Sequence, residues 1–320
     1  MAQSITKLRA RAVDMRSYVV YVSFLVILVF FSITLQDRGF LTGSNLMNIL
    51  RQTAMVSVMA VGMTYTICAG EIDLSIGGVV ALSALVTAVI LKTQPLILAV
   101  LAGLSVGAVT GFVNGVITTK VRIPAFLVTL GTSSIVTGLA RTITNLEAVP
   151  ITNRTYNFWF GSGDIGPVST LFIWTVIIAV IGQIVLKKTP FGMAVLATGG
   201  NRSAARYSGV RTDNIRIAVL MLSAISASMA GLLYAGRLHG ARYTLGEADL
   251  LTVIAAVIIG GTSFTGGKGS VIGAIIGSIV MGMLNNGLLL MGLSVSEQMI
   301  ARGIIIVLAV SLSLRESLER

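Results

Sequence analysis

Few side chains in this chain could carry out covalent chemistry, and they do not converge. There is one histidine, His239, and one cysteine, Cys68. Cys68 lies inside an apolar run, which excludes a disulfide framework and a cysteine-based metal site. His239 sits in a loop with no ligand set nearby in sequence, so it reads as a surface residue. An enzyme would need a convergent nucleophile, base or metal set, and these two residues do not supply one. The glycine-dense stretch Gly260-Gly-Thr-Ser-Phe-Thr-Gly-Gly-Lys-Gly-Ser270 suggests a nucleotide loop but fails its pattern. A phosphate-cradling loop follows its Gly-Lys pair with Ser or Thr and carries a glycine five positions before the Gly of that pair. Here Gly269 follows Lys268, and Thr262 stands at the earlier position. The stretch reads instead as a broken helix or tight re-entry, which lipid tolerates only where protein or water covers it. Neither an enzymatic activity nor a cofactor or metal is expected.

The remaining polar candidates are four acids, Glu71, Asp73, Glu247 and Asp249, and the amides Asn114, Asn285 and Asn286. What positions them is a set of membrane spans. The chain has 320 residues, of which 55% are hydrophobic and 11% charged; a soluble domain carries about 25% charged residues. The net charge of +11 is spread over short loops between apolar runs. That is a topology signal rather than a nucleic-acid face. Ten apolar runs are expected to be spans: roughly 18–36, 48–69, 73–91, 95–118, 124–140, 168–186, 215–236, 250–264, 270–292 and 297–314. The first follows Lys7, Arg9, Arg11 and Arg16 and lacks a small-residue cleavage site, so it is read as retained rather than as a signal peptide. The bias of Lys and Arg places both termini in the cytoplasm. The whole chain, 1–320, is then one all-α transmembrane domain. Its largest external loop is 141–167, with Trp159 suited to a membrane surface or a partner.

The most basic segment, 187–216, falls on the cytoplasmic side. Within it Asn201-Arg-Ser-Ala-Ala-Arg-Tyr-Ser-Gly209 reads as a short self-capped helix. Asn201 can accept from the first free N–H groups and Gly209 can take the left-handed conformation that closes a helix. Arg202 and Arg206 then share a face. A solvated loop that only fixes topology is the simpler reading of the segment by itself. Contact with a soluble partner is the other.

Span four carries Gly103, Gly107, Gly111 and Gly115, and span nine is approached by Gly269, Gly273 and Gly277. Such stripes let helices come close. Gly70-Glu-Ile-Asp-Leu74 recurs as Gly246-Glu-Ala-Asp-Leu250. By the topology above, the two copies face opposite sides, the pattern of an inverted repeat of spans 2–5 and 7–10. Glu71, Asp73, Glu247 and Asp249 are read as helix-break and capping residues, ahead of proton or ion coupling, because no acid lies deep in a span. Asn285 and Asn286 sit mid-span, where an unpaired amide is costly. They are candidates either for packing or for lining a path for a neutral, hydroxyl-rich solute.

Several segments resemble one family when taken together: Asn45-Leu-Met-Asn-Ile-Leu50, Met59-Ala-Val-Gly-Met-Thr64, Ile72-Asp-Leu-Ser-Ile-Gly77, Ile123-Pro-Ala-Phe126, Gly199-Gly-Asn201 with Ser208-Gly-Val210, Ala255 to Ser263 with Gly266-Gly-Lys-Gly269, Leu284-Asn-Asn-Gly-Leu288, and Gln298-Met-Ile300. In this order, from about residue 38 to residue 311, they are similar to the membrane permease of bacterial ABC importers for ribose and related monosaccharides. The resemblance implies a type II-like importer permease in the inner membrane, working as a homodimer. It also implies a cytoplasmic ABC ATPase, a periplasmic or extracellular sugar-binding protein, and a monosaccharide substrate. It makes Asn201, Arg202, Ala204, Ala205, Arg206 and Gly209 the helix that couples to the ATPase. The chain departs from the family at Glu71, where ribose-type members usually have glycine, and near 247–252, where the acids are displaced. Ser203 also stands where other importers place a glutamate before the two alanines. An ion-coupled secondary transporter is the competing class, since it too would use an inverted repeat.

Overall fold

The computed structural model describes residues 15–318, and every apolar run read from the sequence carries a helix there. Lys7, Arg9 and Arg11, the basic flank of the first span, lie outside the described residues. In chain order come α1 (Met15–Thr34), α2 (Gly43–Cys68), α3 (Ile76–Ile90), α4 (Leu96–Val116) and α5 (Ala125–Ile143). A one-turn helix, α6 (Arg154–Asn157), lies in the 141–167 connection. Then follow α7 (Thr170–Lys188), α8 (Pro190–Gly200), α9 (Arg202–Tyr207) and α10 (Thr212–Arg237). The last three are α11 (Asp249–Ile259), α12 (Val271–Leu290) and α13 (Val295–Leu318).

Among the described residues, α2, α4, α5, α7, α10 and α12 are long and apolar enough to cross a bilayer. The runs 73–91 and 250–264 were expected to be full spans, but their helices are shorter. α3 has 15 residues and α11 has 11, below the roughly 20 that a crossing takes. Residues 73–75 stay non-helical ahead of α3, and residues 260–264 stay non-helical behind α11. The basic segment 187–216 also differs from expectation, because it holds a second helix, α8. Thr189 starts it by accepting from the Gly192 amide, and Pro190 takes the first helical position, where its missing N–H costs nothing.

α2 and α10 form the centre and pack on each other, with Gly62 set against Ser223 and Ser226. α3 and α4 pack on α10; α11 and α12 pack on α2. The glycine stripes make these approaches possible. Gly107, Gly111 and Gly115 of α4 lie against the backbone of α10 at Ala224, Leu220 and Ile217. A methyl group at Gly111 would sit 2.6 Å from the Leu220 carbonyl oxygen, closer than atoms can be. Gly273 and Gly277 of α12 meet Gly260, just past the end of α11, and Ala256 of α11 in the same way. The outer faces of α1, α4, α5 and α7 expose residues such as Val26, Leu101, Leu130 and Ile181, as lipid-facing helices do.

The 141–167 connection is anchored rather than loose. Val149 and Pro150 pair antiparallel with Ala241 and Gly240, beyond the end of α10. Buried Tyr156 donates its hydroxyl to the Leu232 carbonyl at 2.8 Å, and Trp174 donates to the Trp159 carbonyl at 2.9 Å. His239 is exposed and sits 2.8 Å from the Ser162 hydroxyl.

Candidate functional site

Two places gather the polar residues singled out above. The first is built around α9. Asn201 Oδ1 accepts from the Ala204 amide at 2.9 Å, which satisfies a free N–H of the first turn. At the other end Gly209 adopts φ +88°, its amide bonds the Arg206 carbonyl, and the Val210 amide bonds the Ala205 carbonyl. This is a left-handed closure of the kind only glycine takes easily. Ala205 is buried against the rest of the chain, whereas Arg202, Ala204 and Arg206 are exposed. Tyr207 is 93% exposed. The sequence singled out the arginines but not this tyrosine. A fully exposed aromatic on a rigid helix is the kind of residue that anchors protein interfaces. Arg206 lies 3.6 Å from Asp213 at the surface, where a pair contributes little.

What holds α9 is Glu71. It lies in the loop between α2 and α3 and is only 6% exposed. Its Oε1 accepts from Arg202 Nη2 and from Arg216 Nε, both at 2.5 Å. One carboxylate thus ties the loop, α9 and α10 together. Glu71 was expected to cap the span that follows it. It does not, because it lies a full turn ahead of α3 and two guanidinium groups claim its oxygen. The glycine-rich stretch closes the same region. The Gly267 amide bonds the Cys68 carbonyl at 2.9 Å, and Gly266 and Gly267 lie on Gly199 at the end of α8. This is a backbone junction of α2, α8 and the 260–270 segment.

The other three acids also depart from simple capping. Asp73 Oδ1 accepts from the amide and hydroxyl of Ser75, a local turn ahead of α3, while its Oδ2 is buried without a partner among the described residues. Glu247 is exposed, in the turn before α11. Asp249 is the first residue of α11, where its charge faces the positive helix end. Its Oδ2, however, accepts from the Tyr234 hydroxyl at 2.6 Å, and the helix has no side-chain cap. All four lie at breaks between helices, yet none bonds the first-turn amides of the helix that follows.

The second place is a cavity of about 320 Å³ among α2, α10, α11, α12 and α13. Gln52, Arg237, Asp249, Thr252, Asn285 and Arg302 are among the residues that line it. Asn285 and Asn286 were read alike, as candidates for packing or for lining a path, but the structure separates them. Asn286 exchanges two hydrogen bonds with Asn45, at 2.9 and 3.0 Å, and serves as glue between α12 and α2. Adjacent helix positions point about 100° apart, so Asn285 alone reaches the cavity. Asn114 is also glue, donating to Ser75 and accepting from Thr132. Sequence alone gave no sign of Arg237 or Arg302 at this cavity.

Residues 45–310 match the family described as branched-chain amino acid transport system / permease component. The ribose import permease protein RbsC of Escherichia coli (strain K12) is 41% identical over 278 residues, covering 85% of this chain and 86% of that protein. The ribose import permease protein RbsC of Bacillus subtilis (strain 168) is 38% identical over 287 residues, 89% of each chain. The D-allose transport system permease protein AlsC of Escherichia coli (strain K12) is 32% identical, covering 87% of this chain and 86% of that protein. No solved structure matches the chain. With nearly its whole helical body matched, the chain belongs to this family of transport permeases.

Proposed function

We propose that this chain is the membrane-spanning subunit of an ATP-driven importer, carrying ribose or a related monosaccharide across the bacterial inner membrane. The ribose and allose permeases among its relatives support that substrate class. The chain works as a gate moved by others. A cytoplasmic ABC ATPase hydrolyses ATP, a periplasmic or extracellular binding protein delivers the sugar, and a second copy of the permease completes the pore. Both termini lie in the cytoplasm, with 187–216 as the coupling loop and 141–167 outside. The carrying observation is α9: a capped, exposed helix with Tyr207 at its tip, held rigidly to the bundle by Glu71. A lever of this kind passes motion between a soluble engine and packed spans. α9 lies beside the end of α2 and the start of α10, away from the 141–167 connection, as a cytoplasmic coupling helix requires.

Ten spans in an inverted, type II-like repeat complete the proposal. Three observations support the repeat. Gly70 and Gly246 open the two related segments, both with φ +78°. Each segment leads into a short helix, and the two meet where a methyl at Gly77 would lie 2.9 Å from the Gly246 carbonyl oxygen. The packing is also doubled. α4 on α10 answers α12 on α2, α3 on α10 answers α11 on α2, and α3 on α5 answers α11 on α13.

The test is co-purification with the ATPase and uptake into proteoliposomes. Replacing both Arg206 and Tyr207 by Ser should leave the folded permease intact, lower ATPase association at least tenfold and stop uptake. Undiminished association would contradict the docking role. Uptake that survives ATP depletion but collapses with the ion gradient would assign the chain to the ion-coupled class instead.

A further inference from the structure

The cavity among α2, α10, α11, α12 and α13 has a largely polar lining. Arg237 and Arg302 offer only donors, Asp249 offers acceptors, and Gln52, Thr252 and Asn285 offer both. Asn285 Oδ1 and Arg302 Nε are buried, and neither has a hydrogen-bond partner among the described residues. Leaving a buried polar atom unpaired costs about 1–3 kcal/mol. Next door, Asn286 is fully paired with Asn45, so the same helix does satisfy its amides where nothing else needs them. The cavity near Thr53 and Ser57, in contrast, holds about 120 Å³ and is walled mostly by Phe172, Val176, Val180, Ile275 and Ile279. It offers little to a polar solute.

Resting on the importer reading above, we infer that the 320 Å³ cavity holds the sugar during transport, with Asn285 and Arg302 bonding its hydroxyl groups. A sugar hydroxyl both donates and accepts, so it suits an amide and a guanidinium alike. Asp249 is positioned for the same ring of hydroxyls. Tyr234 holds one of its oxygens at 2.6 Å, which fixes the carboxylate at the cavity wall.

The experiment uses the whole importer, with its ATPase and binding protein, in proteoliposomes offered radiolabelled D-ribose or D-allose. Asn285→Leu should lower the maximal uptake rate at least tenfold. It should also leave thermal unfolding of the permease unchanged or raise it, because an unpaired buried amide has been removed. Arg302→Met should likewise abolish uptake while ATPase association stays at the wild-type level, and it serves should Asn285→Leu fail to fold. Packing residues would behave in the opposite way, with a lower unfolding temperature and normal uptake per folded complex; that result overturns the site. Equal uptake by wild type and both variants overturns it too, and leaves the importer reading standing. Wild-type uptake that needs no ATP overturns the importer reading itself, and the sugar site with it.

Discussion

Glu71→Gln should cost the permease about 3–5 kcal/mol of stability, the usual result of removing one partner from a buried pair. Glu71 is 6% exposed and Arg216 8%, so loss of the carboxylate strands a guanidinium away from water. A second loss is mechanical. Arg202 bonds the bundle only through Glu71 among the described residues, so α9 keeps its caps and its buried Ala205 but loses its ionic tie. Sugar uptake should therefore fall more than stability alone explains, with ATP hydrolysis by the assembled complex less affected. A paired change separates the two effects. Glu71→Met with Arg216→Met replaces the ions by apolar groups of similar length and should recover most of the stability. Uptake should stay low, since Arg202 still has no anchor. Chemical unfolding of single and double variants, beside uptake per ATP hydrolysed, checks this. Glu71→Gln with wild-type unfolding and wild-type coupling would show that the ion pair does neither job.

Gly199→Ala is the second large effect. A methyl group there collides with the Cys68 carbonyl and would sit 2.8 Å from the Gly267 amide nitrogen. These are backbone atoms of two other segments, the end of α2 and the 260–270 stretch, and neither can turn aside as a side chain tip would. Ordinary overpacking costs about 1–3 kcal/mol, and a backbone collision at a junction should reach or exceed the top of that range. Little folded permease should survive extraction in detergent. The control is Gly131→Ala, on the exposed face of α5 with open space around it. That change should be neutral or stabilising, as alanine favours a helix over glycine by about 1 kcal/mol. Fluorescence-detected size exclusion of both variants distinguishes them. A monodisperse, thermally normal Gly199→Ala would mean that α8 does not close against α2 as described.

How much of this could be read from the residues alone depends on distance along the chain. The caps of α9 were legible because Asn201 and Gly209 act within one turn. The glycine stripe of α4 announced a close neighbour through its four-residue spacing, but nothing local said that the neighbour was α10. Glu71 was misread as a cap for the same reason. Its partners lie 131 and 145 residues away, and a lone acid beside a helix start looks like a cap until the fold brings the arginines in. The pair Asn285 and Asn286 could not be told apart, since only the orientation of α12 decides which amide meets Asn45 and which meets the cavity. Composition gave the membrane and the family resemblance gave the transport class. It was packing that exposed Arg302 as a residue of the cavity wall.

The most direct test of the central claim, that a soluble engine grips this gate from the cytoplasm, is the sidedness of α9. The one native cysteine, Cys68, is buried, so Ser203→Cys adds a single exposed thiol on the docking helix. In intact cells a membrane-impermeant maleimide should fail to label it, and labelling should appear once the inner membrane is opened. Co-expressed ATPase should then protect the thiol. Labelling from outside intact cells would place α9 where no ATPase can reach it and would contradict the coupling role outright.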